Sequence, residues 1–194
     1  MRKALHSISL LLLAAVLTLN ASCEAEQQYS RKYGCNFIFF TQHYPTSSLS
    51  KIDEGNLGAF VNVKVDKKNG LNYIYVTDNN GGEDAPIALT NAIENERISY
   101  DNMGANKSLF IGCSKLNGLK AYDGQCPYCL DNHTSTNFPL TWIKSNNEKV
   151  KCKTCHRQYN LNNEGLSDDG QRMLQYRVMT GTGYDQTRIL RVTN

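Results

Sequence analysis

Two cysteine pairs with the same spacing, Cys126-Pro127-Tyr128-Cys129 and Cys152-Lys153-Thr154-Cys155, are the residues whose types and order could do chemistry in this chain. Cysteines three apart on a tight turn can aim both sulfurs at one centre, and two such turns facing each other supply four thiolates to a tetrahedral site. A matched double pair is a strong signal, whereas a single pair also describes redox dithiols and chance neighbours. Four chemistries fit the spacing: a four-cysteine zinc or mononuclear iron site, an all-cysteine [2Fe–2S] cluster, two disulfides, or an exchanging dithiol at Cys126 and Cys129. The last needs Cys126 at a helix N-terminus in a βαβ frame, and Asp131-Asn132-His133-Thr134-Ser135-Thr136-Asn137 is poor helix material. His133 and His156 stand close enough in sequence to replace a cysteine, and His156, directly after Cys155, could hydrogen-bond to a sulfur from a second layer around the site. Phe138-Pro139 and Trp142 fall between the pairs and read as packing that covers it.

Positioning these residues falls to short segments separated by Asn- and Gly-rich turns. Phe37–Phe40 is a buried run, and Phe60–Val65 and Leu71–Val76 flank Asp66-Lys67-Lys68-Asn69-Gly70, a strong hairpin signature. Further strands are expected at Ser108–Cys113, Gly118–Tyr122, Lys149–Cys152, Arg157–Leu161, Leu174–Met179 and Arg188–Val192. Pro86–Ile98 departs from this pattern and predicts one or two helical turns opened by Asp84 and Pro86. Many short strands at even spacing indicate an all-β sandwich or barrel-like domain.

The N-terminus is an address. Arg2-Lys3, the apolar run Ile8–Leu19 and the small residues Ala21-Ser22 before Cys23 form a secretory signal whose apolar run is too short to span a bilayer. Ala21-Ser22-Cys23 resembles the lipobox of bacterial lipoproteins, which implies a diacylglycerol thioether on Cys23 and a lipid anchor in the cell envelope. Residues 1–22 are then the signal peptide, 23–34 a lipidated tether and 35–194 a single β domain.

The region from about Ser108 to Asn194 resembles the Rieske-type ferredoxin family. Ala121-Tyr122-Asp123-Gly124-Gln125-Cys126-Pro127 is similar to its first cluster loop, and Cys152–Gly165 to its second, including the aromatic Tyr159, Leu161 and the closing Gly165. The resemblance implies an all-β, Rieske-like fold of small antiparallel sheets with a rubredoxin- or zinc-ribbon-like metal-binding subdomain at about 121–170, and electron transfer to an unidentified redox or protein partner. In that family each loop gives one Cys and one His. Here Tyr128 and Cys155 stand at the histidine places, and Cys129 lies one residue beyond the first. The expected ligands are therefore Cys126, Cys129, Cys152 and Cys155, holding either an all-cysteine [2Fe–2S] cluster of lowered potential or zinc.

Seven cysteines in 194 residues leave Cys35 and Cys113, expected to pair as a disulfide closing a loop of about 80 residues. A net charge of +3 with no basic stripe gives no footprint for nucleic acid. No Ser/His/Asp arrangement, catalytic carboxylate pair or phosphate loop supports a hydrolase or kinase, so an electron carrier or a binding module is expected ahead of a turnover enzyme.

Overall fold

The hairpin signature folds as its residues dictate. β2 (Phe60–Lys68) and β3 (Leu71–Asp78) pair antiparallel from Val61↔Asp78 to Lys68↔Leu71. Asn69 and Gly70 turn the chain with φ of 51° and 83°, the left-handed pair whose twist matches the flanking strands. The computed structural model describes residues 29–97, 102–183 and 188–194, so the expected signal segment and Cys23 lie outside the described residues.

β2 and β3 belong to an eight-stranded sheet in the order β1-β12-β11-β6-β5-β2-β3-β4. Its other strands are β1 (Asn36–Phe40), β4 (Ile87–Ala88), β5 (Ser108–Ser114), β6 (Gly118–Asp123), β11 (Gln175–Thr182) and β12 (Arg188–Thr193). Every described pairing is antiparallel. The sheet curls, so that Phe37 and Phe39 of β1 share one aliphatic core with Val61, Val63, Ile74, Leu109, Tyr176 and Leu190. A second sheet, in the order β10-β9-β8-β7, comprises β7 (Leu140–Ile143), β8 (Asn146–Cys152), β9 (Gln158–Asn160) and β10 (Leu166–Ser167). It covers the other face of β2, β5 and β6, where Phe60, Phe110 and Tyr122 meet Leu140, Val150 and Tyr159. β5 is thus clothed on both sides, and all seven of its residues are buried although the sequence Ser-Leu-Phe-Ile-Gly-Cys-Ser shows no simple alternation.

The all-β expectation holds, as two curled antiparallel sheets, the smaller of which carries the Cys152–Cys155 pair. Pro86–Ile98 differs from expectation. Ile87 and Ala88 form β4 against Tyr73 and Ile74, and the helix α1 starts only at Ala92 (Ala92–Arg97), with residue 98 outside the described set. Asp84 caps another element. Its carboxylate accepts from the Ser47 hydroxyl (2.7 Å), the Ser48 hydroxyl and the Ser48 N–H (both 2.8 Å), at the start of the 3-10 turn Ser48–Lys51. α1 is held by Glu94, buried and bonded to His43 and to the Tyr44 hydroxyl at 2.6 Å. Residues 29–34, the described end of the expected tether, lie along the large sheet. The Ser30 N–H donates to Gln175 O, Asn194 Nδ2 donates to Ser30 O and Tyr33 O, and Lys32 pairs with Asp131.

The expected Cys35–Cys113 disulfide is not formed; both are buried free thiols. Cys35 bridges Met103 beside the start of β5, whereas Cys113 sits near that strand's far end, against Glu54 O and Ser114 O. Cys35 precedes β1 and Cys113 lies on β5, with β12, β11 and β6 between those strands in the sheet, whereas a disulfide needs Cα atoms within roughly 7 Å. Burial raises both thiol pKa values, that of Cys35 to about 12, which keeps them protonated and unreactive.

Candidate metal centre

Each cysteine pair is built by different local means. Cys126 is extended and precedes the short helix α2 (Pro127–Asn132), with Pro127 in the first turn, where a missing N–H costs nothing. The Leu130 N–H donates to Cys126 O at 3.0 Å, so Cys129 comes round onto the same side. A helix here was not expected from Asp131-Asn132-His133. Those residues form only its end and the exposed loop beyond, while Pro127 and the fixed Cys126 start it. The loop before α2 is pinned to the strand that leads into β7: the Cys126 N–H donates to Phe138 O (2.9 Å), the Phe138 N–H to Gln125 Oε1 (2.6 Å) and the Leu140 N–H to Gly124 O (2.9 Å). Phe138 and Trp142 pack against the buried cluster that includes Cys126, Cys129 and Cys152, and Trp142 meets Phe110 edge to face at 5.0 Å.

The second pair occupies the β8–β9 hairpin. Lys151 pairs with Gln158, the Cys152 N–H donates to Arg157 O (3.0 Å), and the His156 N–H returns to Cys152 O (3.1 Å). Closing so tight a turn requires a left-handed residue, and His156 has φ 63°. His156 contributes through this backbone while its ring is exposed; His133, at the end of α2, is exposed and leans on Phe138. A second left-handed position, Gly165 (φ 65°), closes the segment under the hairpin. A Cβ there would stand 3.0 Å from both Met173 Cβ and the Tyr122 ring.

The two turns bring the four sulfurs of Cys126, Cys129, Cys152 and Cys155 within 4.8 Å of one another. Two contacts run between the pairs: Cys126 to Cys155 at 3.5 Å and Cys129 to Cys152 at 3.7 Å. Four sulfurs at about 2.3 Å from one ion define a tetrahedron with edges of about 3.8 Å, so this arrangement can hold a metal. No disulfide joins any of the four. Cys126, Cys129 and Cys152 are buried, and Cys155 is half-buried at the surface.

Electrostatics divides the thiols. Burial pushes Cys126 up to about 11, against the Tyr159 hydroxyl at 3.4 Å, and pushes Cys129 well above the thiol range. At Cys155 the burial cost is outweighed by the Arg157 backbone N–H and the neighbouring thiols, which bring it down to about 7. A cation that binds here must displace protons from the deep thiols and would neutralise the charge they acquire.

Two interactions go beyond what the sequence assigned to these residues. Asp123, on β6 just before the first loop, is fully buried and accepts from Ala105 N–H, Gln125 N–H and the Tyr176 hydroxyl, each at 2.8 Å. Burial raises its carboxyl to about 6 despite these donors. The Arg157 guanidinium lies over the Tyr128 ring. Asp-Gly-Gln before a Cys-Pro pair could have suggested the first, as a side chain folding back on its own turn; nothing local marks the second.

No known protein family, characterised protein or solved structure matches this chain.

Proposed function

We propose that this chain is a structural or interaction module of the cell envelope, exported and lipid-anchored through Cys23, whose Cys126, Cys129, Cys152 and Cys155 hold a single zinc ion. The observation that carries the reading is the mutual approach of all four sulfurs within 4.8 Å. A two-iron cluster divides its thiolates between two metals, so sulfurs on different irons stand apart by the metal–metal separation as well. Four sulfurs this close suit one ion. With four protein ligands the coordination sphere is closed, which is the pattern of structural zinc; catalytic zinc keeps a position for water. The order of loops, with Tyr122-Asp123 before the first and Tyr159 and Gly165 in the second, still supports a Rieske-type scaffold, one whose cluster site has become a clasp.

Metal analysis and an absorption spectrum of the full chain, purified without oxygen from its native host, test this. One zinc per chain and a colourless protein are expected. Two irons with inorganic sulfide would restore the electron-transfer reading, one iron would replace zinc in the same tetrahedron, and absence of both metal and free thiols would make the pairs disulfides. The mass of the membrane-fraction protein tests the anchor, with a diacylglyceryl addition at Cys23 as the expected result.

A further inference from the structure

Solvent reaches one of the four ligands. Cys155 is half-buried where the other three are buried, and Arg157 lies beside it. The guanidinium carbon is 3.4 Å from the centre of the Tyr128 ring, and Nε lies 2.7 Å from Asp169 Oδ2. Arg157 is also close enough to Cys155 for its backbone N–H to favour that thiolate. Tyr128 stands between Cys126 and Cys129 on α2, Arg157 follows Cys155 by two residues, and Asp169 follows β10, its carboxylate fixed by the Ser167 hydroxyl. One side chain thus ties together both ligand loops and a third segment that supplies no ligand. A planar guanidinium suits this place, because it can stack on a ring and donate to a carboxylate in its own plane, which an ammonium cannot. Four thiolates around a divalent ion leave a net charge of −2, and Arg157 sets a cation at its exposed edge.

We propose that Arg157 is a latch on the open side of the metal centre: stacked on Tyr128 and paired with Asp169, it holds the Cys155 turn against α2 and sets how fast the ion is lost. The proposal rests on the zinc reading above and adds a positioning residue to it. An exposed ion pair at Arg157 and Asp169 would by itself contribute little to folding, so the latch is visible in exchange kinetics more than in stability.

The test is zinc release from the zinc-loaded full chain into an excess of a chromogenic chelator, with folding followed by circular dichroism. Arg157→Gln, which removes the charge and the planar guanidinium, is expected to release zinc about tenfold faster or more, the usual scale for residues that support metal ligands. Arg157→Lys keeps the charge without the stack and should fall between. Tyr128→Leu should accelerate release like Arg157→Gln, and combining the two should add little, because both open one latch. Asp169→Asn lies outside the ligand loops and provides a milder opening should Arg157→Gln fold poorly. Release from loaded Arg157→Gln and Asp169→Asn chains at the unmodified rate would overturn the latch and leave the zinc site standing. An unmodified chain that retains no zinc would overturn the site and the latch together.

Discussion

On one face of the large sheet Phe37, Phe39, Val63, Ile74, Leu109 and Leu190 bury carbon against carbon; on the other, Phe110 and Tyr122 face an interior that includes Cys126, Cys129 and Cys152. The first interior needs nothing but removal from water, at roughly 25 cal/mol for each Å² of apolar surface. The second is thinner and is built round groups that repel or desolvate one another until something binds them. Burial, set against the bonds from the Tyr159 hydroxyl and the Cys129 backbone, leaves the Cys126 thiol raised to about 11. The two regions share β5 and β6, so they are joined covalently and by packing, yet they depend on different sources of stability.

Metal removal should break the comparison most. A structural zinc contributes about 10–16 kcal/mol of apparent binding free energy near neutral pH, far more than the small second interior can replace. Chelation, or Cys129→Ser with Cys152→Ser, should therefore unfold the layer of β7–β10 while the large sheet persists. Trp142, the single tryptophan, lies on β7 and reports the seating of that layer on Phe110 of β5. Its fluorescence should shift to that of an exposed indole, with β-type circular dichroism mostly retained. Loss of both signals together would show that the two regions fold as one unit.

Asp123 stands where the regions join, and its effect should be intermediate. Its folded pKa of about 6 lies above the usual carboxylate value of 3.8. Its protonated form is therefore favoured by folding: the contribution is fully present below about pH 3.8 and is lost as pH rises through 6. The size is up to about 3 kcal/mol. In Asp123→Asn this pH dependence should vanish, so the difference in unfolding free energy between the two chains should narrow from pH 4 to pH 7. Denaturant midpoints across that window check it, and a constant difference would place the carboxylate's ionisation outside the stability of the joint.

The smallest effect is expected at Lys115 and Glu148, an ion pair linking the β5–β6 turn to β8 across the two sheets. Both side chains reach solvent, and such pairs contribute about 0–1 kcal/mol. Lys115→Ala should move the unfolding midpoint by less than the Asp123 change and should matter less still at high salt. A larger loss would mean that surface charge, rather than the shared strands, fastens the second layer.

Much of this was legible beforehand. The hairpin at Asn69-Gly70, the strands of the large sheet other than β4 and the four clustered cysteines follow from local signals: side-chain period two, turn residues, and a fixed cysteine spacing. β7 was not, because Leu-Thr-Trp-Ile is short and follows a polar loop, and it becomes a strand only by pairing with β8. Ile87, Ala88 and Leu89 fit a helical as well as a strand period, and β4 is decided only when Tyr73 and Ile74 lie alongside. Nothing local in the sequence tells Cys35 and Cys113 from a disulfide pair, and the order of strands in the sheet keeps them apart as free thiols.

The sequence by itself determined which atoms can bind a metal and that strands must carry them, since spacing and alternation are properties of neighbouring residues. Tertiary structure alone decided that the four sulfurs converge on one point. The 3.5 Å contact joins Cys126 to Cys155, residues on different turns, and its length depends on how the β8–β9 hairpin seats over α2. The same seating brings Arg157 to Tyr128 and Asp169. Packing between distant segments sets such distances, and no local pattern encodes them.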